Sequence, residues 1–163
     1  MQSAIIIGVG PLQGLGAQLC CRFAEMGMHV YVAGRTESKL KEVAEHIESA
    51  GGSASSYVCD ATNEEQIKLL FEQARTTGPL SLAIYNAGNN MPGSIADMEA
   101  EYFEASWKVG CFGGFLFARE AAQSMLPNKG GSILFTGASA SLRGRANFGA
   151  FNSAKGALRN LAQ

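Results

Sequence analysis

Gly10, Gly14 and Gly16 stand in the spacing G-x-x-x-G-x-G, separated by Gly8-Val9 from the run Ala4-Ile5-Ile6-Ile7. A glycine-rich turn between a strand and a helix suits a pyrophosphate. Glycine tolerates positive φ, and without a Cβ it lets the backbone approach a ligand closely. A helix opening at Leu15 turns free N–H groups and the positive end of its dipole toward that turn. Gly10, Gly14, Leu15 and Gly16 are therefore candidate binding residues. The alternative is a tight strand-to-helix turn that holds nothing, because short glycine motifs also match by chance.

The end of the second strand speaks to which dinucleotide such a turn would take. An acidic residue roughly 20 residues beyond the turn would bond the ribose 2′-hydroxyl of NAD. Here Gly34-Arg35-Thr36 stands instead. No carboxylate repels a 2′-phosphate, and the Arg35 guanidinium offers a planar cation for one. These residues favour NADP(H) over NAD(H); the alternative is a solvated surface arginine. Gln13 is neutral, so the turn supplies no second basic contact. Asp60, followed by Ala61, closes the third strand at the carboxyl edge where such sheets hold ligands. Its carboxylate can accept from an adenine amino group, or can serve a turn. Asn86-Ala87-Gly88 follows the fourth strand, and Lys155 lies in the last helical stretch.

Other chemistries find little support. Cys20, Cys21, Cys59 and Cys111 show no C-x-x-C spacing, and His29 and His46 do not partner them. Reduced thiols, no metal and a cytoplasmic compartment are expected. With a net charge of −1, the chain offers no nucleic-acid surface and no polybasic membrane patch. No apolar run approaches the roughly 18 residues of a membrane span. The first strand begins almost at Met1, so no secretory signal is expected before it. Apolar residues at 47% and charged residues at 17% allow a sizeable core.

The elements that must position these residues alternate along the chain. Leu15, Leu19, Phe23 and Ala24 predict a helix to about Met26, capped by Gly27. His29 to Ala33 predicts the second strand, which completes a β-α-β unit. Thr36 is the expected cap of a helix with the inward stripe Leu40, Val43, Ala44 and Ile47, stopped by Gly51-Gly52. Ser55 to Cys59 predicts a third strand. Thr62-Asn63-Glu64-Glu65 resembles a capping box before a helix with Ile67, Leu70, Phe71 and Ala74 on one face. Gly78-Pro79 breaks that helix, and Leu80 to Tyr85 predicts a fourth strand.

Residues 89–98 read as a loop, and Ala100 to Met125 as one long helix. Gly110, Gly113 and Gly114 cost that helix intrinsic stability and let another helix approach closely. A turn at Pro127 to Gly131, a strand at Ser132 to Thr136, a small-residue loop and a helix from near Phe148 complete the pattern. The alternation predicts an α/β fold, a Rossmann-type doubly wound parallel sheet with helices on both faces, as a single domain over 1–163. The chain stops inside a helical pattern at Gln163, so a domain lacking its C-terminal portion is expected.

With Gly10-x-x-x-Gly14-x-Gly16, Asp60, Asn86-Ala87-Gly88 and Lys155 in this order, the chain resembles the short-chain dehydrogenase/reductase family across essentially its whole length. It looks closest to a divergent branch carrying the stretch found here at Phe135 to Gly144. The resemblance implies a Tyr-x-x-x-Lys pair, in which the lysine cation lowers the tyrosine pKa so that the phenol passes a proton while hydride moves. It also implies a serine on the substrate oxygen and an asparagine in the long helix. This sequence keeps only the lysine. Phe151 stands where the tyrosine would be, Ala138 in the serine register with Ser139 and Ser141 adjacent, Gly110 at the asparagine and Val9 where the turn usually has threonine.

The resemblance thus implies an NADP(H)-dependent oxidoreductase acting on a small-molecule carbonyl or alcohol, with Lys155 and Ser139 as candidate catalytic residues. It implies a homodimer or homotetramer. The alternative is a non-catalytic NADP(H)-binding sensor or scaffold that has lost its proton relay. A nucleotide-like ligand such as S-adenosylmethionine is a third reading, opposed by Asn86-Ala87-Gly88 and Lys155.

Overall fold

Side chains alternate across a strand, so a strand buried on both faces must be apolar at every position. From Ala4 to Ile7 the first strand meets that demand: Ile5 and Ile7 face one helical layer, Ala4 and Ile6 the other, and all are buried. The computed structural model describes residues 1–128 and 130–163; of the expected turn at Pro127 to Gly131, Lys129 lies outside the described residues. The elements are β1 (Ser3–Ile7), α1 (Leu15–Glu25), β2 (His29–Gly34), α2 (Glu37–Ser49), β3 (Ser53–Val58), α3 (Glu64–Thr77), β4 (Leu80–Tyr85), α4 (Ala100–Trp107), α5 (Gly113–Met125), β5 (Ser132–Phe135) and α6 (Gly149–Leu161).

The five strands are all parallel, in the order β3-β2-β1-β4-β5. The chain winds outward from β1 to β3, then crosses back to β4 and continues the other way. The sheet is therefore doubly wound, and its order reverses between β1 and β4. On one face, α1 and α2 press Ala17, Cys20, Leu40, Val43 and Ile47 onto Ala4, Ile6, Val30 and Val32. On the other, α3, α5 and α6 press Ile67, Phe71, Phe117 and Leu158 onto Ile5, Ile7, Tyr31 and Tyr85. The Rossmann-type architecture is the one expected.

Of the two expected caps, one is in place and one is shifted. Thr36 occupies the N-cap position of α2, but its side chain makes no capping bond there. At α3 the N-cap is Asn63, whose side chain accepts from the Gln66 backbone N–H at 3.1 Å, so the capping register lies one residue beyond Thr62. The Gln66 side chain turns away and accepts from the Asp60 N–H at 2.7 Å. It thereby fixes the exit of β3.

The expected single helix from Ala100 to Met125 is also revised. A π-helical turn over Lys108–Phe112 separates α4 from α5. Such a turn departs from the i→i−4 ladder, and the Val109 carbonyl accepts the Tyr85 hydroxyl at 2.6 Å. The close approach expected at the glycines is made within the chain by α6. A Cβ on Gly110 would lie 2.5 Å from the Ala154 Cβ, and one on Gly114 would lie 2.6 Å from Leu158 Cδ1. Gly113 faces the sheet side, where a Cβ would lie 2.6 Å from the Ala61 carbonyl oxygen.

Candidate functional site

In a parallel sheet whose order reverses, the loops leaving the two central strands diverge and leave a crevice at their carboxyl ends. A cleft of about 260 Å³ lies there, lined among others by Gly8, Gly10, Arg35, Asp60, Ala61 and Gly88. Its floor is held by one side chain. Asn86 donates through Nδ2 to the Gly8 carbonyl at 3.0 Å and accepts at Oδ1 from the Thr136 hydroxyl at 2.8 Å. It thus ties together the exits of β1, β4 and β5. Gly8 has φ +88°, and its N–H donates to the Ala33 carbonyl at 3.0 Å.

The candidate binding residues divide into two groups. Gly10, Arg35, Asp60, Ala61, Asn86, Ala87 and Gly88 all border the cleft. Gly14, Leu15 and Gly16 are not in its lining. Gly14 is the N-cap of α1, and Leu15 projects outward at 57% exposure. Gly16 packs the helix onto the strand exits, where a Cβ would lie 3.0 Å from both Asn86 Nδ2 and the Gly8 carbonyl oxygen. Nothing lies within 4 Å of a Cβ built on Gly10, so the backbone there is open to the cleft. Asp60 spends Oδ1 on the Thr62 N–H and hydroxyl, at 2.9 and 2.8 Å, so its turn role is realised.

Sequence reading missed Lys39, which borders the cleft beside Arg35. It lies one helical turn beyond Arg35, in the first turn of α2, and nothing in its sequence context marks it. Neither cation forms an ion pair among the described residues. Cys59 also borders the cleft. Burial pushes its thiol up to about 12, so it stays protonated at neutral pH and is no nucleophile.

Lys155 is only 6% exposed. Its Nζ donates to the Thr136 carbonyl at 2.7 Å, and a Cβ on Gly88 would lie 3.6 Å from it. The lysine therefore stands behind Gly88, between the exits of β4 and β5. Burial lowers its pKa below the ordinary lysine value. Phe151, one turn earlier on α6, holds its ring centroid 5.9 Å from Nζ.

Ser139 opens a 3₁₀ turn over Ser139–Ser141 and borders a second cleft of about 400 Å³ with Phe148, Phe151 and Asn152. Ser141 is spent locally, its hydroxyl donating to the Ala138 carbonyl at 2.7 Å. Ala138, Ser141 and Lys155 line a separate cavity. The structure thus sets the two candidate catalytic residues on different cavities, with Phe151 between them. Among the described residues no group of three or more His, Cys, Asp or Glu could hold a metal ion, and no helix is long and apolar enough to cross a membrane.

A glycine turn at the switch point of a parallel sheet, with cations beside the next strand exit, defines the dinucleotide-binding class of α/β fold. The family model for short chain dehydrogenases matches residues 2–163, and the chain belongs to that family. A short-chain dehydrogenase structure from Rhodopseudomonas palustris is 37% identical, with a TM-score of 0.95 over 99% of this chain and 76% of that one. Among curated relatives, the oxidoreductase YuxG of Bacillus subtilis is 32% identical over 94% of this chain and 23% of its own. Glucose 1-dehydrogenase of Gluconobacter oxydans is 29% identical over 97% of this chain.

The chain spans 23%, 60% and 64% of the first three curated relatives it matches. Two further solved structures carry dinucleotides. A metagenomic short-chain oxidoreductase in complex with NADP is 25% identical, with a TM-score of 0.91 over 98% of this chain and 72% of that one. A 7α-hydroxysteroid dehydrogenase complexed with NADH is 28% identical, with a TM-score of 0.92 over 98% of this chain and 62% of that one.

Proposed function

We propose that the chain is an NADP(H)-dependent oxidoreductase acting on a small-molecule carbonyl or alcohol. One observation carries this reading: the switch-point cleft is open at Gly10 and bordered by two cations, Arg35 and Lys39, that have no ion-pair partner among the described residues. That donor set fits the cofactor. Arg35 and Lys39 would hold the 2′-phosphate, and the Gly10 backbone with the N-terminus of α1 the pyrophosphate. Asp60 and Ala61 would flank the adenine. Lys155, behind Gly88, would bond the nicotinamide ribose hydroxyls.

When bound, the nicotinamide supplies or receives a hydride. In reduction the carbonyl carbon gains that hydride and its oxygen gains a proton; oxidation of the alcohol reverses both. Phe151 has no proton to give, so the proton comes from water, passed directly or through the Ser139 hydroxyl. Trp107, Phe112 and Phe115, exposed in a row from the end of α4 through the π-helical turn into α5, support a homodimer or homotetramer.

Arg35→Ala is expected to weaken NADPH binding by roughly ten- to a hundredfold, the worth of one or two charge-assisted hydrogen bonds. NADH binding should barely change. Lys39→Ala should move both in the same direction by less. Calorimetric titration of each variant with both dinucleotides checks this, and equal losses for NADPH and NADH would sink the 2′-phosphate assignment. Phe151 favours a second reading, a dinucleotide-binding sensor or scaffold without turnover. Steady NADPH consumption with a defined ketone would remove it.

A further inference from the structure

We propose that the second cleft selects a carbonyl or alcohol substrate bearing an anionic group, which Arg143 and Arg145 hold. The inference rests on the dinucleotide reading, because this cleft begins at Phe151, one helical turn from the lysine assigned to the nicotinamide ribose. Arg143 and Arg145 both border the cleft, and no carboxylate does. Neither guanidinium forms an ion pair among the described residues.

The loop carrying the two arginines is anchored. The Arg143 N–H donates to the Ser139 carbonyl at 3.0 Å. The Arg145 carbonyl accepts Asn152 Nδ2 at 2.9 Å and the Phe148 N–H at 3.3 Å. Asn147, at φ +64°, accepts the Gly93 N–H at 2.7 Å and pins the loop to the segment following β4. The Arg145 Cζ lies 5.6 Å over the Phe148 ring. Both cations are therefore presented from fixed backbone.

The rest of the cleft describes the remainder of the ligand. Phe148 and Phe151 supply apolar surface to the cleft. Asn152 borders the cleft and holds the loop through its Nδ2, which donates to the Arg145 carbonyl. Two guanidinium groups beside two aromatic rings recognise an oxo- or hydroxy-acid with an apolar side chain, or the corresponding phosphate. Both arginines are solvent-exposed, so water screens the attraction and its effect is modest.

The test is calorimetric titration of the 163-residue chain, with and without saturating NADPH, using benzoylformate, its neutral methyl ester and phenyl phosphate. An anion should bind roughly tenfold more tightly than the ester. In Arg143→Ala/Arg145→Ala that preference should vanish while NADPH affinity and circular dichroism stay unchanged. Tighter binding of benzoylformate assigns a carboxylate; tighter binding of phenyl phosphate assigns a phosphate. Equal affinity for ester and anions, or a preference surviving in the double variant, overturns the proposal. Absence of NADPH binding instead overturns the cofactor reading, and the titrations without NADPH still report on the cleft.

Discussion

Phe151→Tyr is expected to raise the rate of NADPH-dependent reduction of a ketone such as benzoylformate by about a hundredfold or more. A positioned general acid contributes roughly 10²–10⁴-fold, and position 151 is where one can act. It lies one turn from Lys155 on α6, with the ring centroid 5.9 Å from Nζ, and it borders the second cleft. A phenol there would face a buried ammonium, and an adjacent cation favours the phenolate, so its pKa falls below the usual value of about 10. The pH profile supplies the signature. Reduction needs the protonated phenol, so the variant's rate should fall as pH rises through the lowered tyrosine pKa. Oxidation of the alcohol needs the phenolate and should rise over the same window. The parent chain should show neither limb. Unchanged rate and profile would mean that the proton reaches the carbonyl oxygen by a route that does not pass residue 151.

Gly8→Ala is expected to cost at least about 3 kcal/mol, because the residue would combine left-handed strain with overlap against backbone. Gly8 has φ +88°, and a Cβ would lie 2.6 Å from both Ala87 Cα and the Asn86 carbonyl carbon. Those atoms cannot move without disturbing the Asn86 bonds to Gly8 and Thr136. For a chain of this size each kcal/mol moves the melting temperature by about 2–4 °C, so a fall of roughly 6–12 °C should appear in calorimetric scans. Gly10→Ala separates folding from binding. Its Cβ meets no atom within 4 Å, so the melting temperature should hold while NADPH affinity falls. Equal melting losses in the two variants would contradict the assigned roles.

Much of this was legible in the sequence because burial leaves a period. β1 and β4 are apolar at nearly every position, and Leu40, Val43, Ala44 and Ile47 recur at helical spacing on the buried face of α2. Capping is less legible: Thr62 and Asn63 both qualify as the cap of α3, and Asn63 takes the place while the Thr62 hydroxyl donates to Asp60. The π-helical turn was not legible: helical periodicity carries on across Lys108–Phe112, and the Tyr85 bond to the Val109 carbonyl comes from another element. Arg35 could be read because it replaces an expected carboxylate. Lys39 could not, since a lysine in the first turn of a helix looks like any solvated one. Gly16 shows a further role that its spacing did not announce: it packs α1 closely on Gly8 and Asn86.

Arg35, Lys39, Arg143 and Arg145 border the two clefts without ion-pair partners among the described residues, in a chain whose net charge is −1. The positive charge is local, so its consequence is kinetic as well as energetic. Asp60 also borders the first cleft, but the two cations outnumber it there, and a local excess of positive charge draws in oppositely charged molecules before any contact forms. A dinucleotide bearing the extra phosphate should therefore arrive faster than one without it. The advantage should shrink as ionic strength rises and the screening length falls to about 8 Å at physiological salt. Dissociation should depend on salt far less than capture does. Cations placed to hold an anion thus also act as its collector, and the concentration of ordinary salt sets how far their reach extends.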